Sequence, residues 1–96
     1  MAKTGRVYIL SNKPRGVLYL GVTSDLVKRL HQHRNRTTSG FTGRYKLRKL
    51  VWYSEEMSIT EAITLEKRLK FWRRHWKVQL VEEENPEWED LGNALL

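Results

Sequence analysis

Arg6-Val7-Tyr8-Ile9-Leu10-Ser11-Asn12 and Val17-Leu18-Tyr19-Leu20-Gly21-Val22 are two short runs rich in β-branched and aromatic residues, the composition of strands. Between them, Lys13-Pro14-Arg15-Gly16 carries turn chemistry: Pro presets one dihedral and Gly permits a positive one. The pair reads as an antiparallel hairpin. A register that opposes Tyr8 to Tyr19 also opposes Ile9 to Leu18 and Leu10 to Val17. It leaves Asn12 to Arg15 as the connection, a common hairpin length. Opposed residues share a side of the sheet, so both tyrosines face one way.

Downstream of the hairpin, Thr23 or Ser24 is placed to cap a helix, with Asp25 favourable in its first turn. Leu26, Arg29, Leu30 and His33 recur there at helical spacing, and Arg29 and His33, one turn apart, share a face. This helix fades near Asn35. Asn35 to Lys46 has no period, is broken by Gly40 and Gly43, and reads as a loop with room for one short turn. Leu47 to Ser54, with its core Leu50-Val51-Trp52-Tyr53, predicts a third strand. Ser58-Ile59-Thr60-Glu61 matches the capping-box pattern and opens a helix through about Trp72, with Ile59, Ala62, Leu65, Leu69 and Trp72 at helical spacing. A second amphipathic stretch, about His75 to Glu83, continues after a bend and stops at Asn85-Pro86. Pro86 is suited to open a short final turn through Trp88 to Leu91, whose apolar side chains dock the tail. The order is ββα-β-αα, and the 96 residues make one α+β domain.

Charge is distributed, not merely abundant. The formal net charge is +7 and the sequence pI is about 10.0, which favours a polyanionic partner, nucleic acid before an anionic membrane surface. No acid occurs from Leu26 to Ser54, a stretch that holds Lys28, Arg29, Arg34, Arg36, Arg44, Lys46, Arg48 and Lys49. Lys67, Arg68, Lys70, Arg73, Arg74 and Lys77 form a second cluster, and the acids gather toward the C-terminus. The expected nucleic-acid contacts are Lys28, Arg34, Arg36, Arg44, Lys46 and Lys70. Without cysteine there is neither disulfide nor thiolate metal site. No apolar run has signal-peptide or membrane-span length, so the expectation is a soluble, cytoplasmic chain with no membrane partner.

Two residues break their local pattern. Glu66 lies within the apolar arc of Ala62, Leu65 and Leu69, where a bare charge would cost on the order of several kcal/mol. It needs a metal ion or a cation such as Lys70, four residues on. Arg29, on the inner face of its helix, suits bidentate contact with a phosphate, or is simply a solvated arginine. His33, Tyr8 and Tyr19 are compatible with catalysis and equally with packing. Phe41, Tyr45, Trp72 and Trp76 interleave with basic residues and could stack on unpaired bases or fill the core. Trp72 and Trp76, one turn apart, are also placed to form a patch for a protein partner. A P-loop, a G-x-G-x-x-G and a His-rich zinc spacing are absent.

Taken together, Val7-Tyr8, Tyr19-Leu20-Gly21, Arg29 with His33, the distant Glu66 and the late Asn85 resemble the GIY-YIG nuclease domain over about residues 6–88, and above all its small stand-alone members. The first tripeptide here is Arg6-Val7-Tyr8, without its glycine, and the second is Tyr19-Leu20-Gly21. The resemblance implies a three-stranded antiparallel sheet flanked by helices. It implies metal-dependent hydrolysis of phosphodiester bonds in DNA, with Mg²⁺ or Mn²⁺ held by Glu66. On the family's pattern, Tyr8, Tyr19, Arg29, His33, Glu66 and Asn85 form the catalytic site. Arg29 would neutralise phosphate charge, one tyrosine would position or deprotonate the water, and Asn85 would brace the site. The alternatives are a non-catalytic nucleic-acid-binding module on the same fold and a basic scaffold for protein partners.

Overall fold

The computed structural model describes residues 3–34 and 47–96. Strands β1 (Thr4–Ser11) and β2 (Leu18–Thr23) form the hairpin. Their register opposes Tyr8 to Gly21, Ile9 to Leu20 and Leu10 to Tyr19, which corrects the expected Tyr8–Tyr19 pairing by two residues. The cause is a longer turn. Asn12 Oδ1 accepts from the Val17 N–H at 3.0 Å and the Lys13 carbonyl accepts from the Gly16 N–H at 2.9 Å, so residues 12–17 all serve the connection. Side chains alternate with a period of two, so a slip of two leaves each on its expected face. The tyrosines still face the same way, now as a diagonal pair.

Strand β3 (Lys49–Tyr53) lies antiparallel against the other edge of β1, giving the order β2-β1-β3. A two-residue strand β4 (Met57–Ser58) also pairs with the start of β1, so the three-stranded expectation gains one short piece. Central β1 is covered on both faces, which explains its unbroken apolar run. Val7 and Ile9 join Leu20, Val51, Ala62, Leu69, Val81 and Trp88 in one cluster. Tyr8 and Leu10 join Leu26, Leu30, Leu47 and Leu50 in the other. The β1–β3 register shifts between Ile9, opposite Trp52, and Leu10, opposite Leu50. Val51 is the extra residue of this bulge, and it leans to the same side as Trp52; re-aiming a side chain is what bulges do.

Among the described residues, four helical segments complete the fold: α1 (Leu26–Arg34), α2 (Ile59–Lys70), α3 (Arg74–Glu84) and a 3-10 helix (Leu91–Ala94). Asp25 itself caps α1 through a 3.0 Å bond from the Lys28 N–H, while Thr23 Oγ1 supports Asp25. That replaces the expected Thr23 or Ser24 cap. Ser58 caps α2 as its pattern predicts, accepting from the Glu61 N–H at 3.2 Å. The tail differs from expectation: a turn closes from Asn85 to Trp88, and the 3-10 helix begins only at Leu91. Trp88 is buried in one cluster and Leu91 packs against the other, so the tail docks as anticipated. The expected contacts Arg36, Arg44 and Lys46, with Phe41 and Tyr45, lie outside the described residues.

Candidate active site

The hairpin and α1 bring Tyr8, Tyr19 and His33 into an aromatic triangle. Ring centroids are 6.3 Å apart for the tyrosines and 6.1 Å from each tyrosine to His33. The Tyr8 hydroxyl and His33 Nε2 lie 3.4 Å apart, and Tyr19 is close enough to act on the Tyr8 phenol. Gly21 makes this possible. It sits opposite Tyr8 in the ladder, and a Cβ there would lie 2.5 Å from the Tyr8 hydroxyl and 2.6 Å from its ring. The glycine of the second tripeptide is thus the floor under the first tyrosine.

Burial sets the chemistry of these groups. Tyr8 is almost fully buried and His33 nearly so. Desolvation, aided by the Tyr19 charge, pushes the Tyr8 phenol well above its ordinary range, and the opposing pull of Arg29 is too small to reverse it. Tyr8 therefore stays a neutral phenol. Burial and then the Arg29 guanidinium lower the His33 pKa, so this imidazole is neutral at physiological pH and has a nitrogen to accept a proton.

Arg29 lies between this interior and the surface. Its charge is felt at both Tyr8 and His33. It also lines a polar depression of about 300 Å³ with Thr23, Ser24, Asp25, Lys28 and Gln32. Glu66 approaches from α2, and its charge too is felt at Tyr8. Its side chain is 12 % exposed and is paired with Lys70 Nζ at 2.9 Å. Lys70 is 59 % exposed, whereas the Glu66 carboxylate is largely enclosed. A larger cavity of about 660 Å³ lies elsewhere, walled by Trp52, Leu65, Leu69, Trp72 and Leu80 among others. Its walls also carry Arg6, Glu55, Arg68 and Glu84, and it contains none of the triangle.

Five predicted residues thus cluster: Tyr8, Tyr19, Arg29, His33 and Glu66. Asn85 has a different task. It is buried; its Nδ2 donates to the Val51 and Glu89 carbonyls at 3.1 and 2.9 Å, and its Oδ1 accepts from the Glu89 N–H at 3.0 Å. It binds the carbonyl of the bulge residue, so it holds scaffold and not substrate. Arg34, expected at nucleic acid, is turned to the tail: Nη2 meets Asp90 Oδ2 at 2.6 Å and Nη1 meets Asn93 Oδ1 at 3.2 Å. Arg6 donates to the Ser54 carbonyl at 2.9 Å and lies over the Tyr53 ring, which fastens it to β3. Asp90 went unnoticed in the sequence. It accepts from Leu50 and Gly92 N–H groups as well as from Arg34, and only its place before Leu91-Gly92, as an N-cap, could have flagged it.

A family model described as the GIY-YIG catalytic domain matches residues 4–79. No curated protein and no solved structure gives a match.

Proposed function

Because the chain belongs to the GIY-YIG family, we propose that it is an endonuclease-like enzyme that hydrolyses phosphodiester bonds in DNA with a divalent ion, Mg²⁺ or Mn²⁺. The observation that carries this reading is the convergence of a guanidinium and a held carboxylate on one buried Tyr8–Tyr19–His33 triangle.

The donor set fits such an ion. Among the described residues no group of three or more His, Asp or Glu gathers as a ligand cage. Mg²⁺ is commonly held by one or two carboxylates, with waters and substrate phosphate completing the shell, and Glu66 is a largely enclosed single carboxylate. When bound, the ion supplies charge stabilisation at the phosphate and the leaving oxygen. Lys70 would move from Glu66 toward the incoming phosphate as that site fills. Arg29 neutralises the non-bridging oxygens as charge grows on them. Tyr19, less buried than Tyr8, meets the attacking water and takes its proton as its own passes inward to Tyr8 and on to His33 Nε2. Tyr8 acts as a neutral donor throughout, and the relay requires the tautomer in which Nε2 is unprotonated.

Cleavage of labelled single-stranded, duplex and forked DNA in Mg²⁺, Mn²⁺ or EDTA tests the assignment. Glu66→Ala should reduce metal-dependent cleavage by at least about 100-fold, the scale of losing a key electrostatic group. Equal cleavage by the variant would remove Glu66 from the site. The Glu66–Lys70 pair favours a second reading, a non-catalytic nucleic-acid-binding module in which the carboxylate is structural. That reading gains if every substrate stays intact while binding persists.

A further inference from the structure

Phe71 is 90 % exposed and Trp76 is 47 % exposed. Both stand at the elbow between α2 and α3, Phe71 as the C-cap of α2. The sequence hid Phe71: the apolar stripe runs Leu65, Leu69, Trp72, and Phe71 lies about 100° away from Trp72 on the wheel. Trp76 stands edge-on to Trp72 at 6.0 Å and to His75 at 5.7 Å. It borders a cleft of about 290 Å³ with Trp72, Gln79, Leu80 and Glu83. Exposed aromatic faces of this kind are available for stacking.

The surroundings say what stacks. Lys67, Lys70, Arg73 and Lys77 belong to the same elbow. Lys77 Nζ donates to the Lys70 carbonyl at 3.1 Å, and Lys70 reaches Glu66 at 2.9 Å, so Lys70 links the elbow to the candidate-site carboxylate. Phe71 follows Glu66 by five residues, about 7.5 Å along a helix axis and about 140° round it, so the ring and the carboxylate face different sides of α2. A second copy of a chain with net charge +7 would be repelled. A neutral apolar segment would desolvate these cations without pairing them. A duplex offers phosphates but keeps its base faces covered. An unpaired strand offers phosphates to the cations and π-faces to the rings.

We propose that the elbow is a stacking platform for an unpaired nucleotide, so that the nucleic acid this protein holds has a single-stranded segment lying over α2 and α3. This rests on the nuclease reading above for nucleic acid as the substrate, but its test does not require cleavage. In a Glu66→Gln background, fluorescence anisotropy would compare labelled oligothymidine with a blunt duplex of equal length. Phe71→Ala, at a side chain nearly all in water, should weaken single-strand binding about tenfold and change duplex binding less than twofold, with Phe71→Trp restoring affinity. Trp76→Ala should act in the same direction, and circular dichroism would show that it folds. Unchanged single-strand affinity in both alanine variants would overturn the platform, as would an equal loss on duplex and single strand. With Glu66 intact, intact substrates alongside a Phe71-dependent single-strand preference would sink the nuclease reading alone. Cleavage of all substrates, indifferent to Phe71→Ala, would sink the platform alone.

Discussion

At Tyr8 and His33 the same cause, burial, acts in opposite directions. It raises the phenol and lowers the imidazole, since each is driven toward its neutral form. For His33 this has a consequence for folding. The unfolded chain binds a proton near the ordinary value of 6.5, and the folded chain resists it. Stability is therefore complete above about pH 6.5 and declines as pH falls from there toward the lower folded pKa. Thermal unfolding between pH 7.5 and pH 5 should show a falling midpoint in the wild type and a shallower fall in His33→Gln. Parallel curves for the two proteins would mean that the imidazole is not held neutral. Arg29 contributes to the same shift, so the group that would neutralise phosphate charge also keeps the proton acceptor of the relay empty.

Among the elements, the tail serves as the clamp on edge strand β3. Asn85 satisfies the bulge carbonyl of Val51, and Asp90 satisfies the Leu50 N–H while anchoring Arg34 at the end of α1. Removing a buried partner costs about 1–3 kcal/mol for each group left unpaired. Asn85→Ala should thus lower stability by about 2 kcal/mol in urea unfolding, and Asn85→Asp, which sets an anionic oxygen against two carbonyls, should cost more. A loss of cleavage with unaltered stability would instead give Asn85 a direct part at the site. The elements themselves were legible where local chemistry decides them: the capping box at Ser58, the stop at Pro86, the β-branched and aromatic composition of the hairpin. The register was not, because the Asn12 side chain extends the turn by imitating a backbone acceptor. Nor was the bulge, which depends on two strands far apart in sequence. The five residues that gather were picked out by the family resemblance, since spacing alone left each open to a packing role; the difference between a neutral phenol, a neutral imidazole and their charged neighbours comes from burial, which no spacing records. Asn85 and Arg34 could be read only as residue types, and tertiary partners decide their use.

For the whole molecule, net charge sets affinity for nucleic acid, but only cations not already committed can release counterions from DNA. Lys28 is exposed beside Arg29 in the polar depression, while Arg34 is bound to Asp90 with a side chain only 28 % exposed. Sequence composition counts the two equally, and the fold does not. Each phosphate contact contributes about −0.9 to the slope of log affinity against log salt. Duplex binding measured from 50 to 200 mM salt should therefore lose about one unit of slope in Lys28→Gln. Arg34→Gln should leave the slope intact while lowering the unfolding midpoint, because it strands the Asp90 carboxylate that also holds β3 and the 3-10 helix. If Arg34→Gln reduced the slope as much as Lys28→Gln, the Arg34–Asp90 pair would have to open on DNA, and the tail clamp would then be coupled to binding.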